Sequence, residues 1–579
     1  RVTSTLQSND PATSLPFGWT LPPEFIERHK QGELDGRRIA TWLRDLGVGW
    51  TKFPVWFEPD DDASVDAAAM LAMRLQEAQI RPVGMLDKPP KSRMHVYELR
   101  DQSDVTITDA MRDASIWQSE LESNMNRLTI RIPRWQIGAD RDFSLTGRAG
   151  LSQWVQETTA GLQGYGQPID VAIPWPWLEP LPVMSGESWK AISRRTPLEL
   201  TNDELKAMLR QESPDAIAAT WLSIDPLPDS KYDLASRVID LVGRMATTRS
   251  ASVGVTMIAN PMAPHGDMLT PSGRPGRLLL PWRTTSLLLG QATEIGSLRL
   301  QHQSHNVLYQ SPERSVWMVW ADSPRTETLF LGDDVVEVDV WGQRRMLNPE
   351  TIDGRLVHQV QVDVIPKFLV GIDVSLAKFR MSVECSPERI DSILGASQRV
   401  DVTFANPINQ PLNGRLRFQP PSSWWVSPES QNWELMGRQQ RRIGFDVTLA
   451  NNATIGEYDI PLDFKFETVP ATQIRVYRPL AIGPAGFEFS VRTRMVGTTG
   501  QVKIEMANRT DQAANFDCLL FSGPDRQYER RTLVLAAGEV IQRMIELPDA
   551  SGLVGRQMLL RAVERNGNRV INHTFDMTR

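Results

Sequence analysis

The chain has 579 residues, 41% hydrophobic and 23% charged, which is too long for one hydrophobic core and too apolar for a disordered or fibrous chain. With 63 Lys and Arg against 70 Asp and Glu, the net charge of −7 gives no global drive toward nucleic acid, and no nucleic-acid partner is expected. No apolar run reaches the roughly 18 residues of a membrane span, and 7 scattered histidines with only Cys385 and Cys518 exclude a disulfide framework and offer no metal motif. No metal or cofactor is expected.

In chain order, an apolar run at 15–21 precedes a helical pattern at 34–48. A strand at 50–57, a helix at 65–78 and a strand at 81–86 follow. A helix at 115–126 leads to apolar runs at 128–132 and 135–138, and a helix at 148–162 to a strand at 169–174. Helices at 202–211 and 234–247 lead to strands at 216–224 and 253–258. A last strand at 278–281 precedes an apolar helix at 284–295. About 290 residues of strand-then-helix units predict a (β/α)8 barrel over 1–296.

Beyond Gly296 the period shortens to two, in runs such as 316–319, 335–340 and 357–364, which predicts a β-sandwich over 297–392. Residues 390–398 read as a short linker of helical character. A faint repeat pairs 401–406 with 502–508 and 445–464 with 544–562. It predicts two Ig-like sandwiches, at 393–483 and 484–579. Three Asn-x-Ser/Thr sequons, at Asn452, Asn508 and Asn572, fall in this part.

The composition departs from the ordinary in having 18 Trp against 7 Tyr, with tryptophan recurring near the ends of the predicted barrel strands. A barrel enzyme carries its site at those C-terminal ends. Trp19, Trp56, Trp135, Trp175, Trp177, Trp221 and Trp282 are therefore expected to line one cleft in part, offering flat apolar faces to sugar rings. Lys52 and Asn260 join them as polar groups; strand two ends at Glu58 and strand three at Asp87 and Lys88, and of the carboxylates at strand ends Asp140, Glu179 and Asp225 are the catalytic candidates.

Three stretches carry a resemblance. Phe-Gly-Trp at 17–19, LRDLGVGWTKFPVWF at 43–57 and WQIGAD at 135–140 resemble the clan A glycoside hydrolases, above all those of β-xylosidase and iduronidase type. The resemblance implies a barrel with a flanking β-sandwich and a glycan ligand. It also implies an acid/base Glu closing the strand-four motif Trp-x-x-Gly-Asn-Glu, and a nucleophile Glu after strand seven. Here the first motif ends Ala139-Asp140, and the strand read as seventh ends Ala259-Asn260 without a Glu. Retaining hydrolysis needs two carboxylates about 5 Å apart, so it is not expected. An inverting pair, about 6.5–9.5 Å apart, remains open with Asp140 as acid and Glu179 or Asp225 as base.

Three functions follow: a catalytically degenerate barrel binding a polysaccharide, an active and inverting hydrolase, or an assembly protein with envelope protein partners. Each implies a secreted, periplasmic or cell-surface location.

Overall fold

The computed structural model describes residues 15–97, 105–164, 166–182, 188–467, 472–522 and 527–578. Eight parallel strands close a barrel: β1 (Phe17–Thr20), β2 (Trp50–Pro54), β3 (Arg81–Leu86), β4 (Arg134–Ile137), β5 (Asp170–Pro174), β6 (Ala191–Arg195), β7 (Thr220–Ile224) and β8 (Val255–Ile258). Closure is made by β1 pairing with β8, Phe17 opposite Thr256. Several helices between the strands start where a side chain can accept from the first amides. Asp35 opens Gly36–Asp45 and Asp61 opens Asp62–Glu77, while Thr201 and Glu204 form a reciprocal capping box before Asn202–Arg210.

Two assignments differ from the sequence pattern, and they renumber the barrel. Strand β6, with sequence AISRR, was not expected, because two of its three inward positions, Ser193 and Arg195, are polar and it shows no apolar run. Residues 278–281, expected as strand eight, instead open the helix Leu279–Leu289. That helix is buried all round, so its sequence has no polar face to betray a helical period. The runs read as strands six and seven are therefore β7 and β8. Asn260 follows β8, and the residue that follows β7 is Asp225.

Parity along the strands sorts the wall. Gly84 shows how tightly the outer side is packed: a Cβ there would lie 3.2 Å from the Trp135 ring. Trp19 and Trp135 share this outer side and belong to the large core between strands and helices.

A six-stranded sheet then runs from Thr293–Gly296 through His305–Gln310 and Ser315–Trp320 to Lys367–Val370, Val335–Asp339 and Arg344–Leu347. Its alternation serves two cores. Tyr309, Val316, Met318 and Phe368 join the barrel's core, whereas Leu308, Trp317, Val319 and Leu369 face a three-stranded partner sheet. The Tyr309 hydroxyl anchors the contact at 2.9 Å from Ser250 Oγ and donates to Ala246 O at 3.2 Å.

Two further sandwiches follow, of four and five strands and then of three and four. The stretch at 390–398 is not helical: it holds the end of Arg389–Ile390 and the start of Ser397–Ala405, and the connecting helix is Val374–Ser382. Cys385 and Cys518 are free and buried in separate cores, and burial pushes each thiol up to about 12. Asn508 and Asn572 are buried with their amides donating to backbone carbonyls, so the folded chain does not present these two sequons. Among the described residues no helix is long and apolar enough to cross a membrane.

Candidate functional site at the barrel mouth

The inward positions of the strands build the barrel interior in layers. Trp50, Val83, Ala172, Ala191, Trp221, Val255 and Met257 form an apolar cluster low in the barrel. Above it lies a buried polar layer of Lys52, Ser193 and Ser223, each two residues further along its strand than a member of that cluster, joined by Gln136 of β4. One step higher, Asp87 and Asp225, just beyond β3 and β7, and Arg195, the last residue of β6, continue the same parity.

Asp140 reaches into the polar layer from above. Gly138 has a φ of 101°, a left-handed conformation that glycine adopts without penalty, and it turns the chain after β4. The Asp140 carboxylate is then surrounded by donors. Its Oδ1 accepts from Lys52 Nζ in a short contact, from Gln136 Nε2 at 2.9 Å and from Ser193 Oγ at 2.9 Å. Its Oδ2 accepts from Ser223 Oγ at 2.7 Å. Lys52 also donates to Gln136 Oε1 at 3.0 Å.

Burial alone would raise the Asp140 carboxyl. The Lys52 ammonium and the hydrogen bonds outweigh it and hold the carboxyl down at about 2. For Lys52 burial is the larger effect and pulls it below the ordinary lysine range, against the opposing pull of Asp140. A carboxyl held near 2 has no proton to give at neutral pH, so this geometry does not suit a general acid.

Asp225 is engaged differently. Its Oδ2 accepts from Arg195 Nε at 2.6 Å, an ion pair between neighbouring strand ends that is half-buried at the mouth. Arg195 had no place in the sequence reading because its strand was missed. Asp87 is the third carboxyl here. Burial pushes it above the ordinary range, Lys88 opposes this, and the nearby Asp142 and Asp140 carboxylates add to the rise. Parity along 83, 85 and 87 was the available sequence signal for it. In a closed eight-stranded barrel β3 and β7 are four strands apart, so Asp87 and Asp225 rise from opposite walls.

Glu179 stands apart. It is exposed and borders a groove of about 420 Å3 with Pro180, Leu181, Glu212, Ser213 and Asp215. Asn260 caps a turn, its Oδ1 accepting from Met262 N at 2.9 Å.

The tryptophan cleft is not formed by the residues expected to line it. All seven indoles are buried, between 0% and 7% exposed. Trp19 and Trp282 pack on each other in the wall, and Trp282 also meets Phe17 edge-on. Trp282 lies in the Leu279–Leu289 helix and at no strand end. Trp56 packs edge-on against Tyr97, and Trp175 donates to Pro180 O at 2.9 Å. Trp177 lies under the Arg194 guanidinium, 4.4 Å away, among Leu205, Leu209 and Leu222. Trp221 does face inward, but low in the barrel against Trp50. Apart from Trp221, these rings are packed into the protein's interior, and at the barrel mouth none of the seven leaves a face open for stacking.

No protein-family model matches the chain, and no curated protein matches it. The solved structures it resembles include several glycoside hydrolases and, over 33% of the chain, a CupB2 chaperone from Pseudomonas aeruginosa. An exo-β-1,4-mannosidase from an Opitutaceae bacterium is 13% identical, over 48% of this chain and 60% of that one, at a TM-score of 0.36. A family 51 α-L-arabinofuranosidase from Bifidobacterium longum is 11% identical, over 63% and 98%, at 0.40. A glycosyl hydrolase family 2 member from Bacteroides cellulosilyticus is 11% identical, over 97% and 61%, at 0.28. At these TM-scores the similarity carries no argument about the site, and the barrel is read from its own strand order.

Proposed function

We propose that this chain is a glycosidase-like barrel without hydrolytic activity of the two-carboxylate kind, which binds a glycan at the barrel mouth, outside the cell or in its envelope. The observation that carries the reading is the Asp140 network. The one carboxylate at the end of the Trp-x-x-Gly motif is fixed as an ionised structural group by Lys52, Gln136, Ser193 and Ser223. The Asp225 carboxylate beyond β7 is likewise tied up by Arg195. Neither has the freedom that attack on a sugar or proton delivery requires. The same polar rim offers donors and acceptors suited to sugar hydroxyls.

The test is a glycan array followed by calorimetry on the hits. The wild type is expected to bind a glycan, and Arg195→Ala to weaken it by about tenfold, the worth of one charged hydrogen bond. Absence of binding to any glycan would instead support an assembly protein whose sandwiches meet protein partners.

A second reading has one observation in its favour. Asp87 is raised by burial, as a general acid must be, and Asp225 stands on the opposite wall, where a substrate that drew Arg195 away would free it as a base. That pair would make an inverting hydrolase. Its signature is turnover with inversion that disappears in Asp87→Asn.

A further inference from the structure

The opposite end of the barrel holds a second concavity, of about 280 Å3, that owes nothing to the mouth. Its wall is made by residues at the beginnings of the strands: Trp50 of β2, Arg81 of β3, Arg134 of β4 and Asp170 of β5, with Lys190 just before β6 and Trp221 of β7. This end of a barrel ordinarily serves stability, so a charged hollow there needs its own physical reason.

The charges are arranged unusually. The Arg81 and Arg134 guanidinium groups both lie over the single Trp50 ring, at 5.0 and 5.3 Å from its centroid. Trp50 in turn packs on Trp221 at 5.9 Å. Among the described residues neither arginine forms an ion pair, although Asp170 borders the same hollow. Burial and the neighbouring Arg134 charge together push Arg81 below its ordinary range.

Two like charges held on one ring repel each other, and the indole face compensates only in part. An oxyanion placed between them would relieve the repulsion and accept from both guanidinium forks. The volume lies at the small end of the range for ligand pockets, which suits one small molecule and excludes a polymer segment.

We propose that this hollow binds a small molecule through a carboxylate, sulfate or phosphate group held by Arg81 and Arg134, with Trp50 and Trp221 as its apolar floor. The site is independent of the glycan reading for the mouth.

Calorimetry on the full chain with inorganic phosphate, sulfate and glucuronate, beside neutral glucose, tests it. Saturable binding of at least one of the three anions is expected, with none for glucose at equal concentration. The anion that binds separates free inorganic ions from an acidic sugar. Affinity should fall about tenfold or more in Arg81→Gln and in Arg134→Gln, since each loses a charge-assisted bond. Arg134→Lys, which keeps the charge and loses the fork, should fall between. It also serves if the glutamine variants do not fold. No saturable binding by the wild type, or affinity unchanged in the folded variants, overturns the proposal.

Discussion

Lys52→Met is expected to destabilise the barrel by about 3–5 kcal/mol, read from urea unfolding followed by far-ultraviolet circular dichroism. The methionine fills much of the volume, so packing is not the main loss. What remains is a buried Asp140 carboxylate with its cation gone and only Gln136, Ser193 and Ser223 to solvate it. Removing both charges together, as Lys52→Met with Asp140→Leu, should recover most of the loss, because a buried ion pair contributes little beyond what apolar replacements supply.

The pH dependence separates this explanation from a packing defect. In the wild type the carboxyl ionises at about 2 against an ordinary 3.8, so its contribution to stability is complete above the ordinary value. It is lost as the pH falls through about 2. In Lys52→Met burial acts unopposed by the ammonium, and protonation of Asp140 relieves the variant. The gap between the two proteins should therefore narrow on acidification, whereas a packing defect would leave it constant.

Trp282→Ala should cost about 3–5 kcal/mol, the range for truncating a large buried aromatic. Trp282 is 0% exposed, wedged between Phe17 and Trp19, and no neighbour can collapse into the space without moving the strand it stands on. The loss should appear in the urea midpoint alone, with glycan affinity unchanged under conditions where the variant is folded. Trp425→Ala is the contrast: that ring, on the sandwich strand Trp424–Ser427, is 63% exposed, and its removal should change stability by less than about 0.5 kcal/mol. A drop in glycan affinity in Trp282→Ala, with folding intact, would restore the stacking platform.

The contrast shows what the sequence displays and what it hides. Apolar runs alternating with helical periods are a direct consequence of strands covered by helices, so the barrel was legible before any coordinates. Strand β6 was not, because a strand at the mouth spends its inward positions on Ser193 and Arg195 and its pattern dissolves. The Leu279–Leu289 helix was expected, at 284–295, but its first turn was read as a strand for the opposite reason, since uniform burial removes the polar face on which helical periodicity depends.

The tryptophans misled through parity. Trp135 is adjacent to Gln136, and the two point to opposite sides of the wall: one into the helix layer, the other onto Asp140. Recurrence at strand ends carries no information about which side. Asp140 was legible as the residue occupying the motif, but its four donors come from three other strands as well as its own, and no local spacing announces them.

The most direct measurement is hydrolysis. The purified chain is incubated with activated aryl glycosides and a polysaccharide panel, beside Asp140→Asn and Asp87→Asn, with the anomeric configuration of any product followed by proton NMR. A barrel without two-carboxylate hydrolysis requires that the wild type release no product above the level of either variant. Product formed with retention and lost in Asp140→Asn would contradict the ionised, locked state of that carboxyl. Product formed with inversion and lost in Asp87→Asn would make the mouth an active site.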